Sequence, residues 1–353
     1  MKLKFSQKRV NQTISIILLF FVLLVPILIL PFLRNLPNPI GYVTQPETVF
    51  LELWNIDTFE GGKASRSAFL EKRAIAFQKD NTNVYVVMRN LTLIQAEIQL
   101  ANGIQPDFIS FGTGAGELFE SYCVDLSKNF GVRSDLSVGG KGKAVPWCMG
   151  GYVLCSLGDV DISEVDNVLN TDTENGTLGF GYESSVALNA LNENITVSSQ
   201  NIDAIYINSL NYGYSQYSAY EDFLDKRFDV LLGTQRDFYR LENRLSIGAL
   251  SDCNFNYLGG YTDLLQWFAV TTTDESKQVI AEQFIEYVLS ENVQQKLTDI
   301  GMFSVLDISI YEDEYADFEE VLSSDLKVGN AFWGSLDIQE QQANVLSEIF
   351  GNG

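Results

Sequence analysis

Polar and apolar positions follow one another along this chain in three rhythms. The first is an apolar run over residues 14–33. Twenty helical residues at about 1.5 Å each match a bilayer hydrocarbon core of about 30 Å. The second is a strand rhythm: Val49-Phe50-Leu51-Glu52-Leu53-Trp54, then residues 83–89 (NVYVVMR), then Pro106-Asp107-Phe108-Ile109-Ser110-Phe111. The third has helical spacing. Ala68, Phe69, Arg73, Ala76 and Phe77 predict a helix from residue 64 to 80, and Ile94, Ile98 and Leu100 a shorter one capped near Gly103. Strand, helix, strand, helix, strand in that order predicts a parallel sheet with helices on its faces.

The same grammar returns later. Residues 215–228 read as a helix feeding the buried-strand pattern Asp229-Val230-Leu231-Leu232-Gly233, which stops at Thr234-Gln235-Arg236-Asp237. Residues 257–271 are apolar, glycine-containing and strand-like. Ile280, Phe284, Ile285, Val288, Leu289, Val293 and Leu297 then make one helical stripe. No repeat of fixed period is present. Two α/β units sharing interleaved segments is the economical architecture.

Charge changes the meaning of the first apolar run. Lys2, Lys4, Lys8 and Arg9 precede it, and no acidic residue occurs before Glu47. This asymmetry predicts a basic cytoplasmic tail (1–13), a single transmembrane anchor (14–33), a linker (34–46) and an extracytoplasmic remainder at the cell membrane. A cleaved signal peptide is the competing reading, but the run is long for one and no small-x-small site follows it. The first cysteine is Cys123, so no lipidated cysteine follows the run either.

Residues 1–34 hold 5 of the 23 basic and none of the 46 acidic residues, leaving 18 against 46, a net charge near −28. Such a surface repels nucleic acid and anionic lipid, which makes both poor partner candidates, and no nucleic-acid partner is expected. The absence of histidine removes Ser-His-Asp and Cys-His catalysis and imidazole metal sites together. No cofactor or metal is expected. Cys148 and Cys155 would stand about 23 Å apart on an extended segment, too far for a disulfide unless Gly150-Gly151 bends the chain.

Seven segments in order resemble the bacterial extracellular solute-binding proteins of the maltose-binding type, which serve ABC importers. They are the strand ending in Trp54, FLEKRAIAFQKDNTNVYV, PDFISFG, KAVPWCMGGYVLC, KRFDVLLGTQRD, GGYTDLLQWFAVTTTDESKQVIAEQFIEYVLSENVQQKL and AFWGSL. The resemblance implies a two-lobed periplasmic-binding-protein-like fold with interleaved lobes and a hinge. The first lobe would hold 47–146 and 257–305, the second 147–256 and 306–353, with one hinge at residues 145–147. It also implies a monomer that takes a carbohydrate, mono- or oligosaccharide, into the interlobe cleft and delivers it to an ABC permease, without being an enzyme. The departure from the Gram-positive members is the anchor, since those hang from a lipidated cysteine.

Ligands of open α/β sheets sit outside the carboxyl ends of the strands, so strand ends supply the candidate ligand-binding residues. These are Trp54, Asn55, Asp57 and Glu60; Phe111 and Gly112; Trp147; Thr234, Gln235, Arg236 and Asp237; Gly260, Tyr261 and Thr262; and Trp333. A sugar offers a C–H face to an aromatic ring and a rim of hydroxyls to amides, carboxylates and arginine. Each candidate has a plainer reading. Tryptophans are usually core, and Trp267 inside its apolar strand is read as core; Asp57 and Glu60 suit a helix N-terminus equally; Arg236 and Asp237 equally suit ion pairs with neighbours. Two alternatives stay open beside import. One is a ligand-sensing ectodomain without a transport role. The other is an extracytoplasmic carbohydrate-active enzyme using paired carboxylates, such as Asp57 with Glu60 or Asp237.

Overall fold

The computed structural model describes residues 48–59, 61–169, 178–181, 185–195, 215–312 and 315–350. Among them no helix is long and apolar enough to cross a membrane, and the apolar run 14–33 lies outside the described residues.

Chain order begins as the pattern predicts: β1 (Val49–Ile56), α1 (Arg66–Asp80), β2 (Val84–Asn90), α2 (Leu93–Ala101), β3 (Phe108–Gly112). It continues with β4 (Ala144–Met149), β5 (Tyr152–Ser156), β6 (Leu178–Phe180), α3 (Ala187–Asn192), α4 (Gln216–Leu224), β7 (Val230–Thr234) and α5 (Gln235–Ser246). Last come β8 (Asn254–Leu258), β9 (Tyr261–Thr262), β10 (Leu265–Val270), α6 (Glu275–Val288), α7 (Tyr315–Leu322), β11 (Lys327–Val328) and α8 (Ser335–Phe350).

Helix starts follow local chemistry. Ser65 caps α1 by accepting from the Ala68 N–H at 3.2 Å, and Thr92 with Gln95 forms a capping box on α2. Asp274 accepts from Ser276 and Lys277 at the start of α6. α1 then turns Phe69, Leu70, Ala74 and Phe77 inward. Phe77 meets Phe284 of α6 edge to face at 5.3 Å, so both helices are held by the same aromatic layer.

Two main sheets result, ordered β2-β1-β3-β10-β4 and β6-β7-β5-β8. The first three strands are parallel as expected, but β10 runs antiparallel to β3 and β4. The second sheet is likewise mixed: β6 and β7 are parallel, and β5 is antiparallel to β7 and β8. The purely parallel expectation fails because β10 and β5 are entered directly from the opposite lobe, with no crossover helix to turn the chain round.

The crossings define the lobes. The hinge expected at residues 145–147 lies inside β4, where Pro146 pairs with Trp267. The chain passes between sheets at Gly150-Gly151 instead, so Trp147, Cys148 and Met149 stay with the first sheet. A Cβ at Gly150 would lie 2.5 Å from the Gln235 amide, and one at Gly151 2.6 Å from the Phe318 ring, so the joint admits no side chain. The return expected at residue 257 likewise comes later, because Tyr257 and Leu258 pair with β5 in the second sheet. Gly260, at φ +78°, turns the chain back through β9 to β10. A third passage follows Phe303, which bridges to Met149, and leads to α7 on the second lobe. There Phe318 stacks on Tyr257 at 4.6 Å. All four cysteines are buried free thiols.

Candidate functional site

The carboxyl ends of β1 and β3 and the facing start of β10 gather the polar groups of the first lobe. Gln266 is a lone amide in an apolar strand. Its Nε2 donates to Asn55 Oδ1 (3.4 Å), the Ile56 carbonyl (3.3 Å) and Ser110 Oγ (3.1 Å), and Ser110 Oγ also accepts from Trp147 Nε1 (3.1 Å). Arg66, the first residue of α1, is 2% exposed. One nitrogen donates to the Phe59 carbonyl, Nε lies 3.4 Å from Asp57, and the guanidinium covers the Phe59 ring at 3.8 Å.

Three buried atoms here have no partner: Thr58 Oγ1, Arg66 Nη1 and Gln266 Oε1. Gly112 lets two of them approach the strand end, since a Cβ there would lie 2.2 Å from Thr58 Oγ1 and 3.2 Å from Gln266 Oε1. A buried polar atom left unpaired costs about 1–3 kcal/mol, so the cluster is built at a cost that a bound polar group would offset.

The second lobe meets this end through α5. Arg236 Nη1 donates across to the Gly62 carbonyl at 2.5 Å. Gln235 accepts from the Gly151 N–H at 3.1 Å and sets its Nε2 3.3 Å from Met302 Sδ. Lys63 N–H in turn donates to the Ile300 carbonyl at 2.8 Å, which packs the β1–α1 loop onto the segment after α6.

A second junction centres on Asp263, fully buried between β9 and β10. Its carboxylate accepts from Tyr152 OH at 2.5 Å and from the Val186 N–H at 2.6 Å, and its carbonyl accepts from Thr113 Oγ1. Burial pushes its carboxyl up to about 6, against the downward pull of these donors. Burial, then the neighbouring Asp263 charge, pushes both Tyr152 and Tyr261 well above the usual phenol range. Gly329 packs against Asp263, and a Cβ there would also lie 3.1 Å from the Trp333 ring.

The expected residues are distributed unevenly over this geometry. Asn55, Asp57, Gly112, Gln235 and Arg236 lie at the junction, and Trp333, partly exposed, lies beside the Asp263 group. Thr234 and Asp237 form the capping box of α5: the Thr234 N–H donates to Asp237 Oδ2 at 2.9 Å, and Asp237 is 3.3 Å from Arg240. Trp54 is buried, its Nε1 on Glu52 at 2.7 Å. Trp147 lies between Phe69 and Phe268, and Phe111 between Phe119 and Phe332, so protein rings cover them. Gly260 supplies the turn, Tyr261 is buried, and Thr262 Oγ1 donates to the Gly150 carbonyl at 2.8 Å. Glu60 lies outside the described residues. Thr58, Arg66, Gln266 and Asp263 were missed. The last two carried a signal, as polar residues flanking and interrupting an apolar strand, while Arg66 was concealed in a helical pattern.

No family model matches the sequence, and no curated protein matches it. Solved structures do. The GacH receptor of Streptomyces glaucescens superposes with a TM-score of 0.58 at 11% identity, covering 86% of this chain and 94% of that one. This chain has the two-lobed fold of the ABC solute-binding proteins. The sugar-binding protein MalE from Xanthomonas citri gives 0.58 at 10% identity, over 86% and 93% of the two chains. Iron-bound HitA from Pseudomonas aeruginosa gives 0.56 at 18%, over 84% and 99%. At these identities the likeness establishes fold; the neighbours' solutes, acarbose for GacH and iron for HitA, are their own.

Proposed function

We propose that this chain is a non-catalytic receptor that closes its two lobes on a carbohydrate at the cell surface and passes it to an ABC permease. The observation that carries this reading is the trio Thr58 Oγ1, Arg66 Nη1 and Gln266 Oε1, buried without partners where the lobes meet. A guanidinium N–H donates, a glutamine oxygen accepts, and a threonine hydroxyl does either. A sugar hydroxyl complements all three because it donates and accepts. A carboxylate would satisfy Arg66 but turn lone pairs toward Gln266 Oε1. Trp333, partly exposed beside the Asp263 group, is the aromatic face offered to the C–H side of a ring.

Metal capture is the class that HitA exemplifies. Among the described residues no group of three or more His, Cys, Asp or Glu side chains is placed to hold a metal ion. Hydrolysis by paired carboxylates is disfavoured by their occupations: Asp57 faces Arg66, and Asp237 caps α5. The apolar run 14–33 would retain the receptor on the membrane as a monomer. Ligand bound to both lobes selects the closed arrangement, in which Arg236 reaches Gly62.

A thermal-shift screen of the full chain in mild detergent against neutral sugars, sugar acids and ferric citrate tests the reading. A neutral sugar at 100 times its dissociation constant should add about 2.7 kcal/mol of stability. A shift with ferric citrate alone, or with none of the panel, would overturn it.

A further inference from the structure

Strand alternation in the first sheet sends two sets of side chains to opposite faces. Leu51, Leu53, Val84 and Val86 are buried on one, while Phe50, Tyr85 and Val87 stand exposed on the other. Phe50 and Tyr85 are register partners and stack at 5.4 Å, the Phe50 side being 59% exposed. The β1–α1–β2 and β2–α2–β3 crossovers run in opposite directions across β1, so right-handedness puts α1 and α2 on opposite faces. α2 therefore lies over the Phe50 face. It buries Ala96 and Leu100 there and leaves Ile94 and Ile98, one turn apart, 69% and 53% exposed. Beside this apolar surface Arg89 pairs with Glu52 at 2.9 Å, and Glu97, exposed between Ile94 and Ile98, is the one acidic group on the exposed side of α2.

Chain length says what lies nearest. Residues 34–48 are all that separate the apolar run ending at Leu33 from the start of β1, and fifteen residues span at most about 54 Å. Phe50 is thus held within that reach of any bilayer that takes up the run, and such tethering supplies a high effective concentration.

We propose that the face carrying Phe50, Tyr85, Ile94 and Ile98 rests on the zwitterionic lipid surface of the bilayer from which the chain emerges, fixing the orientation of the lobes. This rests on the anchor reading. Aromatic and isoleucine side chains beside a neutral ion pair suit the headgroup–acyl boundary, whereas the net charge of the domain opposes anionic lipid.

The test uses the full chain in phosphatidylcholine vesicles containing spin-labelled lipid. The native thiols are buried, so an Ile94→Cys variant takes a fluorophore at one place, and Leu336→Cys serves as the reference. Lipid quenching should remove about half the emission at position 94 and little at 336, and Phe50→Ser with Ile98→Ser should reverse it. Vesicle flotation without selective quenching overturns the proposal and leaves the anchor standing. Failure to float overturns both. Shielding of position 94 that depends on protein concentration and not on lipid assigns the face to a second copy and overturns the proposal.

Discussion

Two polar clusters follow strands that face each other across the lobes, and they have opposite fates. Thr234-Gln235-Arg236-Asp237 follows β7 and spends most of its polarity internally: Thr234 and Asp237 cap a helix, and Gln235 holds the glycine joint. Thr58 and Arg66, after β1, end with polar atoms that nothing in the protein satisfies. In sequence the two look alike, as polar residues following an apolar strand. The difference shows that polar residues after a strand can either be consumed by the fold or be left without protein partners.

The contrast is easiest to break at Asp237. Asp237→Ala removes a fully buried carboxylate that caps α5 and faces Arg240. Urea unfolding should show a loss of about 3 kcal/mol, with ligand affinity of the folded fraction intact. A collapse of affinity at unchanged stability would move Asp237 into the site.

Arg236 and Trp333 should behave in the reverse way. Arg236→Ala and Trp333→Ala are each expected to weaken binding by about 2 kcal/mol, roughly 30-fold, in calorimetric titrations. Their unliganded melting temperatures should change little. A core tryptophan would instead cost about 3–5 kcal/mol of stability, so low melting with normal binding removes that residue from the site.

Asp263 gives a pH signature smaller than either. Its folded carboxyl sits at about 6, above the ordinary unfolded value, so folding takes up a proton and stability rises as pH falls. The contribution is complete below about pH 4 and is lost as pH rises through about 6. Between pH 7.5 and pH 5 the wild type should gain on the order of 1 kcal/mol relative to Asp263→Asn in parallel denaturant melts. Equal pH profiles would show that the buried carboxyl does not titrate there.

Thr58→Val sharpens the comparison with the least disturbance. Deleting a hydroxyl that has no protein partner should leave unliganded stability unchanged or slightly higher. It should cost about 1 kcal/mol of binding, some five-fold in dissociation constant. Lost stability without lost affinity would mean that the hydroxyl serves the fold.

Much of the fold was legible because periodicity reports burial directly. The order β1, α1, β2, α2, β3 follows from apolar spacing, whereas Thr234 and Asp237, read as a strand end, turn out to cap α5. The hinge was not legible, because Val145, Pro146 and Trp147 continue an apolar strand whose sheet changes only where side chains cease, at Gly150-Gly151. Site residues were legible as positions but not as directions. Trp54 and Trp147 lie on strands that reach the junction, yet their side chains turn into the first lobe. Gln266 could have been found as the one amide among apolar neighbours; Arg66 could not, since one arginine in a helical pattern resembles any other.

The strand order also sets a timetable for biogenesis. β4 is paired along its length with β10, which the ribosome delivers more than a hundred residues later, after β5 to β8. At about 5–20 residues per second the apolar segment Ala144–Met149 waits roughly 6–23 s for its neighbour. During that interval it needs either a holding chaperone or transport across the membrane in an unfolded state. The first lobe is therefore finished only once most of the second has been made.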